Sequence, residues 1–124
     1  MENKKTILIV EDERPIAKAL SLKLSGVGFN VSIAKNGEDA LKIIEGTQFD
    51  LILLDLIMPK IDGFGVLKAL KNKGLNIPVI VLTNLGQEED VKRVKDLGAY
   101  DCFVKSDISL ISIIERIQKL LEIK

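Results

Sequence analysis

Leu51-Ile52-Leu53-Leu54-Asp55 is a run of branched aliphatic residues that stops on a carboxylate. Apolar residues in unbroken succession leave no polar face, so this segment reads as a strand covered on both sides. Such strands belong to parallel sheets, whose crossover connections lay helices over both faces. The same design recurs along the chain. Ile7-Leu8-Ile9-Val10 runs into Glu11-Asp12, Val79-Ile80-Val81-Leu82 ends on Thr83, and Cys102-Phe103-Val104 ends on Lys105. A fifth run, Val31-Ser32-Ile33-Ala34, is followed by nothing obviously chemical. In a parallel sheet all strand C termini lie along one edge, and open α/β folds bind their ligands there. Two acids, a third acid, a hydroxyl and an ammonium are therefore expected to meet at that edge from four distant places in sequence.

Between the apolar runs lie amphipathic stretches, so the chain reads as βα repeated five times. Strands are expected over residues 6–10, 30–34, 50–55, 78–83 and 101–104. The first, third and fourth are the most continuously aliphatic and should be central; the more polar second and the short fifth suit edges. The first helix starts near Pro15, a residue suited to the first helical position, carries Ile16, Ala19, Leu20 and Leu24 on one side, and stops at Gly26 and Gly28. The second is capped by Asn36, with Asp39 three residues on, and shows Ala40, Leu41, Ile43 and Ile44 before Gly46. The third starts at Asp62, shows Val66, Leu67 and Leu70, and ends near Gly74. The fourth, about 87–97, has only Val91, Val94 and Leu97 to bury, and should be weakly held. The fifth, about 108–122, fills a wide face with Leu110, Ile113, Ile114, Ile117, Leu120 and Leu121, leaving Ile108, Ile111 and Ile123 off it.

At 124 residues the chain makes one domain, with 47% hydrophobic residues to pack its core. Eighteen basic side chains balance 18 acidic ones, and no long basic run appears, which disfavours a nucleic-acid-binding surface. A single cysteine, Cys102, permits no internal disulfide and fits a reducing, cytoplasmic setting. No apolar stretch approaches the roughly 18 residues needed to span a bilayer, and no signal-peptide pattern opens the chain. There is no histidine, so any histidine chemistry must come from a partner.

Glu11, Asp12 and Asp55 fall at the ends of adjacent central strands. Like charges brought to about 4 Å cost on the order of 4 kcal/mol per pair at an effective dielectric of about 20. Such a cluster persists when a cation neutralises it, and a few carboxylates with room for water favour magnesium over calcium. Acids also follow strands simply as loop residues or helix caps, which is how Glu13 reads. Asp55 is the expected reactive group: beside a cation, its carboxylate can attack phosphorus to form an acyl phosphate. Lys105 would balance charge on the transferred group and the Thr83 hydroxyl would donate to it. Asp50, at the start of its strand, falls on the opposite edge and takes no role.

At these positions the chain resembles the receiver domain of two-component response regulators. The matching residues are Glu11-Asp12, Asp55 within Leu-Leu-Asp-Leu-Ile-Met-Pro, Gly63, Thr83, Gly98-Ala99 and Phe103-Val104-Lys105. The resemblance spans residues 1–124 and implies a doubly wound, flavodoxin-like (βα)5 fold with strand order 2-1-3-4-5. It implies Asp55 as phosphoacceptor, with magnesium held by Glu11, Asp12, Asp55 and the Ile57 backbone carbonyl. The donor would be a phosphohistidine on a sensor histidine kinase or a histidine phosphotransfer protein. Thr83 and Lys105 would engage the phosphoryl group and remodel the surface of helix four, strand five and helix five for a downstream protein target. The domain would catalyse only its own phosphorylation and dephosphorylation. Since the chain stops with its fifth helix, no output domain is expected, and a monomer is favoured over a dimer.

Three positions depart from the family pattern. Cys102 stands where a tyrosine or phenylalanine usually reports activation, and a thiol there reads as a small buried residue rather than a redox sensor. Ser106 replaces the usual proline after the lysine, so a trans Lys105–Ser106 bond is expected, because a cis bond without proline costs about 3–4 kcal/mol. Asn84 replaces a small residue. The apolar Ile57 and Leu85 offer no group to position an attacking water, which points to a long-lived acyl phosphate. Among rivals, a haloacid-dehalogenase-type phosphatase resembles a pattern with a second aspartate where this chain has Ile57. A nucleotide-binding flavodoxin-like fold would want a phosphate-cradling loop where this chain has Glu-Asp-Glu-Arg-Pro. An atypical receiver that binds proteins without phosphorylation is the remaining alternative.

Overall fold

The computed structural model describes residues 4–84 and 87–121. Strand and helix alternate along it: β1 (Thr6–Val10), α1 (Arg14–Gly26), β2 (Asn30–Ala34), α2 (Gly37–Gly46), β3 (Leu51–Leu54), α3 (Gly63–Asn72), β4 (Val79–Thr83), α4 (Glu88–Asp96), β5 (Asp101–Val104) and α5 (Leu110–Leu120). A 3-10 turn, Lys105–Asp107, separates β5 from α5. All strands pair in parallel in the order β2-β1-β3-β4-β5, so the more polar second strand and the short fifth are the edges, as expected.

Alternation along each strand splits the core into two layers. Leu8, Val10, Ile52, Leu54, Val79 and Val81 face α2, α3 and the single buried residue of α4, Val94. Ile7, Ile9, Leu51, Leu53, Ile80 and Leu82 face α1 and α5. This is the doubly wound arrangement, and each fully buried leucine or isoleucine in it contributes about 1.5–3 kcal/mol of transfer free energy.

Local sequence chemistry sets the helix boundaries. The Asn36 side chain accepts the Asp39 N–H at 2.8 Å, and Asp62 accepts that of Gly65 at 2.9 Å. Each satisfies a backbone donor that the first turn leaves open. Arg14 precedes Pro15 in α1, and Gly28 turns the chain out at φ +105.

Several sequence expectations need adjustment. In α1, Ala17 is buried and Ala19 is exposed, because the buried stripe runs through Ala17, Leu20 and Leu24. β3 is shorter than expected, with Asp50 and Asp55 flanking it. Asp50 has a structural task on the far edge, where its carboxylate accepts the Thr6 N–H at 2.8 Å. Ile108 packs against the α1/α5 core layer: it lies before the Ser109 cap, so helical periodicity does not place it. Ile111 is exposed, as its position on the helix dictates. Cys102 is half-buried rather than fully buried. The Lys105–Ser106 bond is trans. Leu85 and Ile123 lie outside the described residues.

The loop joining β3 to α3 is tightly held. Gly63 donates its N–H to the Leu56 carbonyl at 3.0 Å. A Cβ at Gly63 would run into the Asp55 carbonyl oxygen and the Leu56 Cα, both backbone atoms. Gly37 of α2 lies equally close to the Ile61 backbone, and Lys60 takes a left-handed φ of 66. Gly63→Ala is therefore expected to destabilise the domain by about 1–3 kcal/mol through overpacking. Gly46→Ala, where a Cβ would meet nothing within 4 Å, should be neutral or slightly stabilising. Urea unfolding of the two variants checks this; equal stabilities would mean that the β3–α3 loop yields freely.

Candidate functional site

Sheet register brings the chemistry together. Val10 is paired with Leu54, so the residues that follow them, Glu11 and Asp55, leave the sheet side by side. Both backbones stay on the ladder for one more step: Glu11 N–H donates to Ala34 C=O at 3.0 Å and Asp55 N–H to Val10 C=O at 3.0 Å. Thr83 pairs with Val104, which places it beside the residue preceding Lys105. Glu11, Asp55 and Thr83 are buried while Asp12 is exposed, so the cluster has one wet side.

Within the cluster, Glu11, Asp12 and Asp55 each offer a carboxylate oxygen lying within 4.8 Å of the others. The Lys105 ammonium reaches across the sheet edge to donate to Glu11 Oε1 at 2.7 Å and, more distantly, to Asp55 Oδ2 at 3.4 Å. The second Glu11 oxygen accepts the Glu13 N–H at 3.2 Å. Glu13 thus takes part through its backbone, at the N-cap of α1, a role its side chain does not signal.

Burial is the main force on the Glu11 carboxyl and, with the neighbouring Asp55 charge, lifts its pKa from 4.5 to about 7 against the pull of the Lys105 hydrogen bond. Burial also disfavours the Lys105 ammonium, yet its hydrogen bond to Glu11 and the charge of Asp55 outweigh this and raise its pKa. Lys105 therefore stays charged near neutrality. Burial, aided by Asp101, raises the pKa of the Cys102 thiol, which makes a reactive thiolate scarcer there.

Glu11, Asp12, Asp55, Thr83 and Lys105 gather at the C-terminal sheet edge. Three oxygens in reach of one another form a hard donor set that fits a small divalent cation, with Asp12 open to water. Ile57, two residues beyond Asp55 in the chain, has a mostly exposed side chain. Sequence reasoning had no signal for the tight Gly37–Ile61 approach or the strained Lys60, because each follows from how non-neighbouring segments pack.

Fold and site together define a class of proteins: five-stranded doubly wound domains with an acidic pocket and a lysine at the strand C termini. The chain belongs to the response regulator receiver domain family, whose model matches residues 7–118. It is 41% identical over 105 residues to the probable transcriptional regulator ycf27 of Guillardia theta, covering 85% of this chain and 41% of that protein. It is also 41% identical over 99 residues to the transcriptional regulatory protein DltR of Streptococcus agalactiae, covering 80% of this chain and 44% of that one. The chain thus spans less than half the length of these curated relatives. Among solved structures, the receiver domain of the Francisella response regulator 1452 superposes with a TM-score of 0.91 at 29% identity, covering 96% of this chain and 98% of that one. Vibrio cholerae chemotaxis protein CheY4 gives 0.87 at 27% identity, covering 94% and 98%. This is a receiver domain of the two-component type, a class that works with histidine kinases or phosphotransfer proteins. No helix among the described residues is long and apolar enough to cross a membrane.

The raised Glu11 pKa has a signed consequence for stability. Between pH 4.5 and about 7 the folded chain holds a proton on Glu11 that the unfolded chain releases, so rising pH removes stability through this window. The stability of the native protein relative to a Glu11→Gln variant should therefore fall between pH 5 and pH 8, by on the order of 1–3 kcal/mol. Urea unfolding of both proteins in magnesium-free buffer measures it; a pH-independent difference would exclude a raised Glu11 pKa.

Proposed function

We propose that the domain is a phosphorylation-dependent switch in which Asp55 accepts a phosphoryl group from a phosphohistidine donor. The observation that carries this reading is the meeting of Glu11, Asp12 and Asp55 at one sheet edge, with Lys105 bonded to two of them. A carboxylate oxygen of Asp55 attacks phosphorus, the P–N bond to the donor imidazole breaks, and the electron pair leaves with the imidazole nitrogen. Glu11, Asp12, Asp55 and the Ile57 carbonyl would hold magnesium, whose charge would offset that of the phosphoryl oxygens.

The protein's own part is positioning and charge. Asp55 is fixed by its backbone bond to Val10, so its carboxylate emerges from a rigid strand end. Lys105, hydrogen-bonded to both Glu11 and Asp55, would transfer those bonds to an incoming phosphoryl oxygen. Thr83, fully buried one position before the β4–α4 loop, would donate its hydroxyl as that loop moves inward. Movement there would reshape the surface of α4, β5 and α5 for a protein target. Turnover is confined to the domain's own aspartyl phosphate. Ile57 brings no polar group to orient water, which supports slow hydrolysis. Relatives named as transcriptional regulators suggest that the response ends in gene control, whether through a further segment or a docked partner.

Intact mass after incubation with acetyl phosphate tests this reading. With magnesium, a single hydroxylamine-labile phosphoryl adduct should appear, and it should vanish with a chelator or in Asp55→Asn. If neither an adduct nor spectral changes near Asp55 with beryllium fluoride appear, the phosphoacceptor reading falls and a phosphorylation-independent binding module takes its place, with Cys102, Ser106 and Asn84 the positions to probe.

Magnesium binding should itself depend on pH, because an ion must displace the Glu11 proton. The Kd for magnesium should weaken severalfold from pH 8 to pH 6, a change that Glu11→Gln largely abolishes. Titration calorimetry at the two pH values measures it, and equal Kd values in the native protein would remove Glu11 from the site.

A further inference from the structure

α4 is the least anchored helix of the domain: Val94 alone is fully buried, between half-buried Val91 and Leu97. Yet two contacts tie it sideways to α3. The Arg93 guanidinium lies over the Phe64 ring, 4.0 Å from its centroid. The Lys71 ammonium donates to the Asp96 carbonyl at 3.3 Å, engaging a carbonyl at the open C-terminal end of α4. Arg93 and Asp96 lie within one turn of each other on α4, and Phe64 and Lys71 lie near the two ends of α3. The two helices are thus clasped at separate points.

Phe64 is not an arbitrary anchor. It follows Gly63, whose N–H is bonded to the Leu56 carbonyl and whose Cα is pressed against the Asp55 and Leu56 backbone. Any shift of the Asp55–Leu56 backbone must move the first turn of α3, because no free space separates them. We propose that Arg93 and Phe64 form a clasp that couples the β3–α3 loop carrying Asp55 to the position of α4. Arg93 is a positioning residue in this scheme, acting on α4 and never on the phosphoryl group. The inference rests on the phosphoacceptor reading and adds a second route from Asp55 to α4, through α3, beside the one that runs through Thr83. Such a route matters in a chain with Cys102 at the place of an aromatic switch residue. Coupling is reciprocal: a partner that holds α4 in one position biases the Asp55 loop equally.

Amide hydrogen exchange of the full chain, read across α4 and across residues 56–61, tests the clasp in Arg93→Gln, Phe64→Leu and the double variant. A cation–π contact at an exposed site corresponds to roughly a two- to fivefold change in an opening equilibrium. Each single variant should speed α4 exchange by about that factor, and the double variant should be no faster than the singles, as expected for one shared contact. Phe64→Tyr, which keeps the ring, should exchange like the native protein. With magnesium and beryllium fluoride, residues 56–61 should respond in native protein and in Arg93→Gln alike, while the α4 response shrinks in the variant. Additive effects in the double variant, or an undiminished α4 response in Arg93→Gln, would overturn the proposal. If residues 56–61 of the native protein do not respond while beryllium fluoride still perturbs the signals of Asp55, the coupling fails and the phosphoacceptor reading stands; if Asp55 shows neither adduct nor perturbation, that reading fails. The exchange cycle alone then decides whether the clasp exists.

Discussion

One ammonium holds the acidic edge of this domain together. Glu11 and Asp55 leave adjacent parallel strands with their backbones locked on the ladder, so neither can retreat from the other. Lys105, arriving from the far end of the chain, bonds both carboxylates. The raised Glu11 pKa shows that this compensation is incomplete, with burial costing the carboxylate more than Lys105 returns. A second cation beside Asp12 would complete the neutralisation. The acidic cluster is thus left short of positive charge, a deficit that a metal ion would relieve and that an incoming phosphoryl group, itself anionic, would deepen.

The stability of the fold is distributed to suit such a site. The three central strands are buried on both faces and packed in two separate layers, so the acids stand on the most rigid part of the molecule. The β3–α3 loop is clamped where Gly63 and Gly37 let backbones touch. Beyond β4, α4 has one fully buried side chain and relies on polar and cation–π contacts at its rim. Rigid acids thus stand beside a loosely tied helix, and elements with few buried side chains are the ones that move most readily.

Much of this was legible along the chain. Unbroken aliphatic runs marked β1, β3 and β4 as central, and the polar character of β2 and brevity of β5 marked the edges. Asn36 and Asp62 announced helix starts that the structure realises to the residue. The site residues were visible because strand termini of a parallel sheet share an edge, so position along a strand converts directly into position in space. Errors arose where periodicity was carried past an element's end, as at Ile108, or where the buried stripe was offset by a residue, as with Ala17 and Ala19.

Sequence by itself determined the fold class, the membership of the acidic cluster and the weakness of α4, because each depends on local pattern and on topology that local pattern implies. Only the tertiary structure decided how the charges pair, that Glu11 rather than Asp55 is the closer partner of Lys105, and that Glu13 serves through its backbone. Only it brought Arg93 onto Phe64 and left no room for a side chain at Gly63. Those features depend on distances between residues remote in sequence, set to tenths of an ångström by core packing, and no periodicity or composition carries information at that scale.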